Sequence, residues 1–268
     1  MKTVARKVTV QAGIFLFSKI TGRKKDIQKE RAPKSKPSSK DVIAINDKNA
    51  ERDLSIKLHA NFGSGDIHAV LTYSGDEPSM EQAKKNLDKF KRDLSKLYKK
   101  HCIDNKWIEV TEYKNKRIHH HFILKKVAME EIVKIWPHGF VRPTWLDNTG
   151  DYRKLVSYLI KETSKTFREP DAFAKRRYHC SRAVKAPDAR EEEVSIQQLF
   201  EPKANKGYQI DQDSVWKGIN PATDRPYIEF IQIALDEPKP YKRGKKRKYQ
   251  KEKFISYIPE EEQCSLFD

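Results

Sequence analysis

Two runs of strand-forming residues stand four positions apart in the middle of this 268-residue chain, one from about Trp107 to Tyr113 and one from about Ile118 to Leu124. The polar Lys114-Asn115-Lys116-Arg117 between them suits a tight turn, so the pair reads as an antiparallel hairpin. An even-length turn sets Tyr113 opposite Ile118, and therefore Glu112 opposite His119. Side chains alternate across a strand, so His119 and His121 share one face while His120 points to the other. Glu112, His119 and His121 then form one patch of a carboxylate and two imidazoles, as a divalent-metal site requires. An odd-length turn or a bulge would slip the register and break up the patch. A run of three histidines is also compatible with a plain solvated strand or a tag-like tract, so the hairpin by itself leaves both readings open.

The surrounding composition narrows the partners. There are 55 Lys and Arg against 38 Asp and Glu, a formal net charge of +17. That excess favours a polyanion, above all nucleic acid, through phosphate neutralisation and counterion release. Hydrophobic content of 37% is enough for one sizeable core with charged extensions. Cys102, Cys180 and Cys264 lie far apart and form no C-x-x-C pair, which argues against a zinc ribbon or a disulfide framework and suits a reducing cytoplasm. The apolar run Val8 to Phe17 is interrupted by Thr9, Gln11 and Gly13, so an export signal is not expected. No stretch approaches the length of a membrane span.

Along the chain, residues 1–22 suggest a short strand or hydrophobic arm around Ile14-Phe15-Leu16-Phe17. A basic Pro- and Ser-containing linker follows to Lys40. Helical spacing through Val42, Ile45, Leu54 and Leu58 reaches about Asn61, and Ile67 to Tyr73 reads as a strand. Ser79 and Gln82 form a capping box for a helix whose Ala83, Leu87, Phe90, Leu94, Leu97 and Tyr98 recur at spacings of four and three, a sheet-packing face. Met129 to Ile135 reads as a short helix, Phe140 to Trp145 as a strand, and Asp151 opens a helix through about Lys165. Late strands are expected at Tyr208 to Ile210 and at Tyr227 to Leu235. Lys239 to Lys253 is dense in cations, a solvated phosphate-seeking tail.

Tyr158 and Lys161 sit at i and i+3 of the Asp151 helix, on neighbouring parts of one face. A free phenol is a poor nucleophile near neutral pH, and nearby cations favour its phenolate while stabilising charge that builds at an attacked phosphate. A tyrosine on an amphipathic helix is also ordinary packing.

Taken together, the strand ending Leu71-Thr72-Tyr73, the hairpin His119-His120-His121 and the Tyr158 helix with Lys161 resemble the three ordered motifs of the His-hydrophobic-His (HUH) endonucleases. Within that superfamily they resemble the single-tyrosine rolling-circle replication initiators. Trp136-Pro137-His138-Gly139, the Arg177 to Arg182 segment and Gly207-Tyr208 are similar to features of replication-associated proteins of the phage gene II–like group. The resemblance covers roughly residues 40–230. It departs at His120, where the family commonly has an apolar residue, so ligation by His120 has to be checked. Tyr152 stands six positions before Tyr158 and does not fit a two-tyrosine arrangement.

This resemblance implies an α+β fold: an antiparallel sheet of about five strands, the Ser79 helix on one face and the Tyr158 helix on the metal face, with basic flexible N- and C-terminal arms. The expected divisions are 1–40 arm and linker, 41–187 endonuclease domain, 188–236 extension and 237–268 tail. It implies Mn²⁺ or Mg²⁺ held by Glu112, His119 and His121, attack by Tyr158 on single-stranded origin DNA to give a 5′-phosphotyrosine, and charge neutralisation by Lys161. DNA contacts are expected from Arg117, Arg176, Arg177 and Arg182. Gln263, Leu266 and Phe267 are similar to the bacterial sliding-clamp peptide, which would recruit a host polymerase. No Gly-x-x-x-x-Gly-Lys loop occurs, so unwinding needs a separate helicase. The expected location is the cytoplasm of a bacterial host, with no membrane partner. A relaxase or single-strand transposase shares the chemistry; a non-catalytic nucleic-acid-binding protein with structural histidines is the alternative of another class.

Overall fold

The computed structural model describes residues 4–22, 40–113, 117–163, 172–173, 176–220 and 225–236. In chain order they form β1 (Val4–Ala12), β2 (Phe15–Gly22), α1 (Lys40–Asn61), β3 (Ile67–Thr72), α2 (Met80–Lys100), β4 (Trp107–Glu112) and β5 (His119–Leu124). Then come α3 (Met129–Ile135), β6 (Val141–Trp145), α4 (Arg153–Thr163), β7 (His179–Cys180), β8 (Arg190–Ser195), β9 (Tyr208–Asn220) and β10 (Arg225–Ala234). The class is α+β, with two five-stranded sheets ordered β6-β3-β5-β4-β7 and β8-β1-β2-β10-β9, every strand pair antiparallel. The chain divides into two units, Ala50–Ala186 and Met1–Asn49 with Pro187–Asp268, the boundary falling within α1.

The Ala50–Ala186 unit holds the hairpin at the centre of its sheet. Glu112 pairs with His119 and Val110 with His121, the register that the turn length predicts. On one face, Leu87, Phe90, Leu94 and Tyr98 of α2 pack against Ile67, Ala69 and Leu71 of β3 and against Phe122 and Leu124 of β5. The helix begins where the capping box places it, with Ser79 Oγ accepting from Gln82 N at 3.1 Å. On the other face, Leu54 and Leu58 of α1 and Val156, Leu159 and Ile160 of α4 cover Ile108, Val110 and Ile123. With helices on both faces, β3, β4 and β5 carry apolar side chains in both directions. The histidines replace them at only one end of β5.

The start of α4 is held by two side chains. Asp151 Oδ1 accepts from Arg153 N at 3.1 Å, satisfying one of the orphan donors of the first turn. His59 of α1 accepts from Tyr152 N through Nε2 at 3.0 Å and donates from Nδ1 to the Ser55 carbonyl at 2.7 Å. Residues 164 and 165, expected to end this helix, lie outside the described residues.

In the other unit, residues 4–22, where the sequence suggests a short strand or an arm, form two strands inside a sheet. Ala5, Ile20, Ile228, Phe230 and Leu199 make its core. The basic residues that suggest an arm are consumed by pairing: Lys7 is buried, donating to Asn205 Oδ1 at 2.7 Å with Glu192 at 3.3 Å. Tyr208–Asn220 and Arg225–Ala234 lengthen the two expected late strands. Among the described residues no helix is long and apolar enough to cross a membrane.

Candidate metal centre

Strand pairing brings Glu112, His119 and His121 together, one ligand atom from each lying within 4.8 Å of the others. Glu112 Oε2 stands 3.0 Å from His119 Nε2 and 3.6 Å from His121 Nε2. Glu112 and His121 are buried and His119 is half-buried, so the patch opens at one side only.

The protonation pattern suits a cation. His119 Nδ1 donates to the Arg117 carbonyl at 2.8 Å, which leaves the lone pair on Nε2, the atom facing Glu112. His121 Nδ1 lies 3.0 Å from His68 Nε2. If His121 donates there, its Nε2 also keeps a lone pair, and that atom is buried without a hydrogen bond. A buried nitrogen acceptor with no donor is unfavourable unless something electron-poor sits against it. Burial lowers the pKa of both rings, that of His68 to about 4, which keeps them neutral as ligation requires. The three side chains therefore fit a divalent ion.

Tyr158 reaches this patch from α4. Val156, Leu159 and Ile160 turn into the core and leave Tyr158 at the rim, 40% exposed. Its hydroxyl donates to Glu112 Oε2 at 3.4 Å, and its ring meets the His121 ring edge-on at a centroid distance of 5.5 Å. Lys161 is exposed one turn further along. Arg117 abuts the patch through its backbone, while its guanidinium donates to the Gly75 carbonyl.

The other basic residues lie elsewhere in this unit. Arg176 and Arg177 line a small cavity with Glu109, Thr111 and His179 at the β4 edge. Arg182 lines a cleft of about 460 Å³ with Lys91, Arg92 and Trp107, at the end of β4 opposite Glu112. Gln263, Leu266 and Phe267 lie outside the described residues.

His120 answers the question raised by the family pattern. It is completely buried on the α2 face, away from the patch. Its Nδ1 is 2.8 Å from Thr111 Oγ1 and its Nε2 is 3.0 Å from Tyr73 OH. Thr111 gives its own proton to Glu109 Oε1 at 2.6 Å, so it must accept from His120, and Tyr73 must donate. The chain ends on Lys91, 3.2 Å from Glu109 Oε2. Burial lowers the His120 pKa to about 4, so a neutral imidazole relays one hydrogen-bond direction from Tyr73 to Glu109. Sequence reasoning passed over His68 and this network. The one sign of His68 was a titratable residue interrupting the apolar run of β3, and only the β3–β5 register sets it beside His121.

Residues 67–167 match the model of a replication-associated protein family, described by its ORF2 and phage gene II protein members. No curated protein and no solved structure matches the chain. The matched stretch takes in β3, the hairpin and the whole of α4, so it contains both the His-Glu patch and Tyr158. Through residues 67–167 this chain is matched to the replication-associated protein family of the ORF2 and gene II protein type, and the match supports a role in starting replication.

Proposed function

We propose that this protein is a rolling-circle replication initiator that nicks and rejoins single-stranded origin DNA. The observation that carries the reading is the Tyr158 hydroxyl resting on Glu112 at the edge of the His119 and His121 pair. A divalent ion, Mn²⁺ or Mg²⁺, bound by these three residues would polarise the scissile phosphate; mixed imidazole and carboxylate ligation favours Mn²⁺. His119 and His121 hold that position in the neutral form, fixed from behind by the Arg117 carbonyl and His68. Tyr158 Oη attacks phosphorus, forming the 5′-phosphotyrosyl bond as the bond to the 3′ oxygen breaks. The phenol gives up its proton and the departing oxygen gains one. Lys161, exposed on the same helix, offsets charge on the phosphate. The covalent bond retains the energy for rejoining, and the free 3′ hydroxyl serves a polymerase.

Binding to the strand draws on the net charge of +17, Arg117 and the basic arms, with contacts mostly to phosphate and hence steeply salt-dependent. Partners under this reading are a separate helicase and, through the terminal Gln263, Leu266 and Phe267, the bacterial sliding clamp. Incubation with Mn²⁺ and labelled single-stranded origin DNA should give a covalent adduct on a denaturing gel. Tyr158→Phe should abolish it, and an adduct surviving that substitution would place the nucleophile elsewhere. His121→Ala should lose cleavage while keeping most of the salt-sensitive binding. Equal loss of both would point to a structural role for the histidines and to the non-catalytic alternative.

A further inference from the structure

We infer that Phe140 is a stacking platform for an unpaired base of the strand held at the Glu112, His119 and His121 patch, with Arg142 taking a neighbouring phosphate. The inference rests on the reading of this face as a single-strand site. The ladder continues past β6, since Thr72 N donates to the Phe140 carbonyl at 2.9 Å. Thr72 pairs with His119 and His119 with Glu112, so Phe140, Thr72, His119 and Glu112 stand in one row across four strands. The next row on the same face runs Arg142, Val70, His121 and Val110. At about 4.8 Å per strand, Phe140 is about 10 Å from His119, a reach suited to a nucleotide beside the one whose phosphate is held.

The ring is presented rigidly. Trp136 Nε1 donates to the Thr72 carbonyl at 2.9 Å, and Ser74 donates to the His138 carbonyl from N at 2.9 Å and from Oγ at 3.2 Å. Thr72 Oγ1 adds a bond to the Phe140 carbonyl at 3.1 Å. Gly139 lies so close to β3 that a Cβ would collide with the Thr72 carbonyl oxygen and come within 2.8 Å of Ser74 N and Tyr73 Cα. The backbone on either side of Phe140 is thus pinned, yet the ring itself is 67% exposed. A lone exposed phenylalanine is unremarkable in itself. Here it is held on a fixed loop, in the row of the metal patch, on an edge strand open to an approaching chain. Arg142 two residues on is exposed and makes no hydrogen bond or ion pair among the described residues. An aromatic face beside a free cation is the arrangement that binds unpaired bases and their phosphates with little regard to sequence.

The test uses the full-length protein in EDTA, with anisotropy of a labelled oligothymidine and of an abasic oligomer of equal length. Both probes carry the same phosphates, so their affinity ratio isolates the bases. Phe140→Ala should weaken oligothymidine binding about tenfold and leave the abasic probe unchanged. Phe140→Leu, which keeps apolar bulk without a π-face, should behave like Phe140→Ala, and Phe140→Tyr should behave like the parent. Arg142→Ala should weaken both probes alike and flatten the salt slope by about 0.7. Phe140→Ala with the parental ratio, or with equal loss on both probes, overturns the platform. No metal or cleavage enters the measurement. An adduct surviving Tyr158→Phe would sink the nicking reading without touching this result, and the reverse holds as well.

Discussion

Single residues here divide between those named by type and those named only by neighbours. Glu112, His119 and His121 follow from strand parity and turn length, and the register places them where that reasoning puts them. His68 follows from nothing local, because its role depends on which strand lies beside β5. Its ring fixes the tautomer of His121, so His68→Ala should lower Mn²⁺ affinity by about 10- to 100-fold, read by titration calorimetry. Unchanged affinity would make the 3.0 Å contact incidental. A second prediction concerns Glu109, buried on the α2 face with Lys91. Burial works to raise the Glu109 pKa, but Lys91, His179 and the Thr111 hydroxyl together hold it below its ordinary value. Lys91→Met strands that carboxylate and should reduce stability by about 3 kcal/mol in urea denaturation. The double variant Lys91→Met, Glu109→Gln should recover part of the loss, and a double variant no better than the single would remove the charge explanation.

At the scale of elements, apolar periodicity was a good guide to α2 and α4 and a poor one to their supports. The spacing in α2 mirrors its burial, with Ala83, Leu87, Phe90, Leu94, Leu97 and Tyr98 all buried. The position of α4, and with it Tyr158, depends on α1 through His59, which no local pattern announces. His59 is neutral and buried, its pKa lowered first by desolvation and also by Arg153, against the raising effects of the Ser55 carbonyl and Asp151. A depressed histidine contributes stability that is complete above its unfolded pKa near 6.5 and is lost as pH falls below that value. His59→Ala should therefore cost about 1–3 kcal/mol at pH 7.5, where it leaves the Tyr152 N–H unpartnered. That deficit should narrow as pH is lowered to 5.5. Thermal melts of both proteins across that range provide the check, and a gap that widens on acidification would contradict the assignment.

For the whole molecule, charge is the dominant sequence property, and its meaning differs along the chain. In residues 4–22 the cations are spent inside a sheet, Lys7 on Asn205 and Glu192 and Lys19 on Glu229 at 2.6 Å. The run from Lys239 to Lys253 belongs to the segment proposed as a phosphate-seeking tail. Truncation after Asp236 should flatten the salt dependence of single-strand binding while leaving the yield of covalent adduct at low salt intact. The same truncation should abolish clamp capture in a pull-down if the terminal peptide binds it. An unchanged salt slope would return the tail to an inert role.

The sequence by itself determined the hairpin, its register and the face on which the His-Glu patch lies, because strand parity and turn length are local quantities. It also determined the two helices that flank the sheet, since a helix must bury its apolar stripe somewhere. Tertiary structure alone decided the rest. The N-terminal strands joined β8 and β10 across most of the chain's length, a long-range pairing that no local period encodes. His120 acquired a buried network in place of a ligand's role, and Arg182 came to lie at the far end of β4 from the patch. Each of these depends on which distant strand becomes a neighbour, and a residue's type does not carry that information.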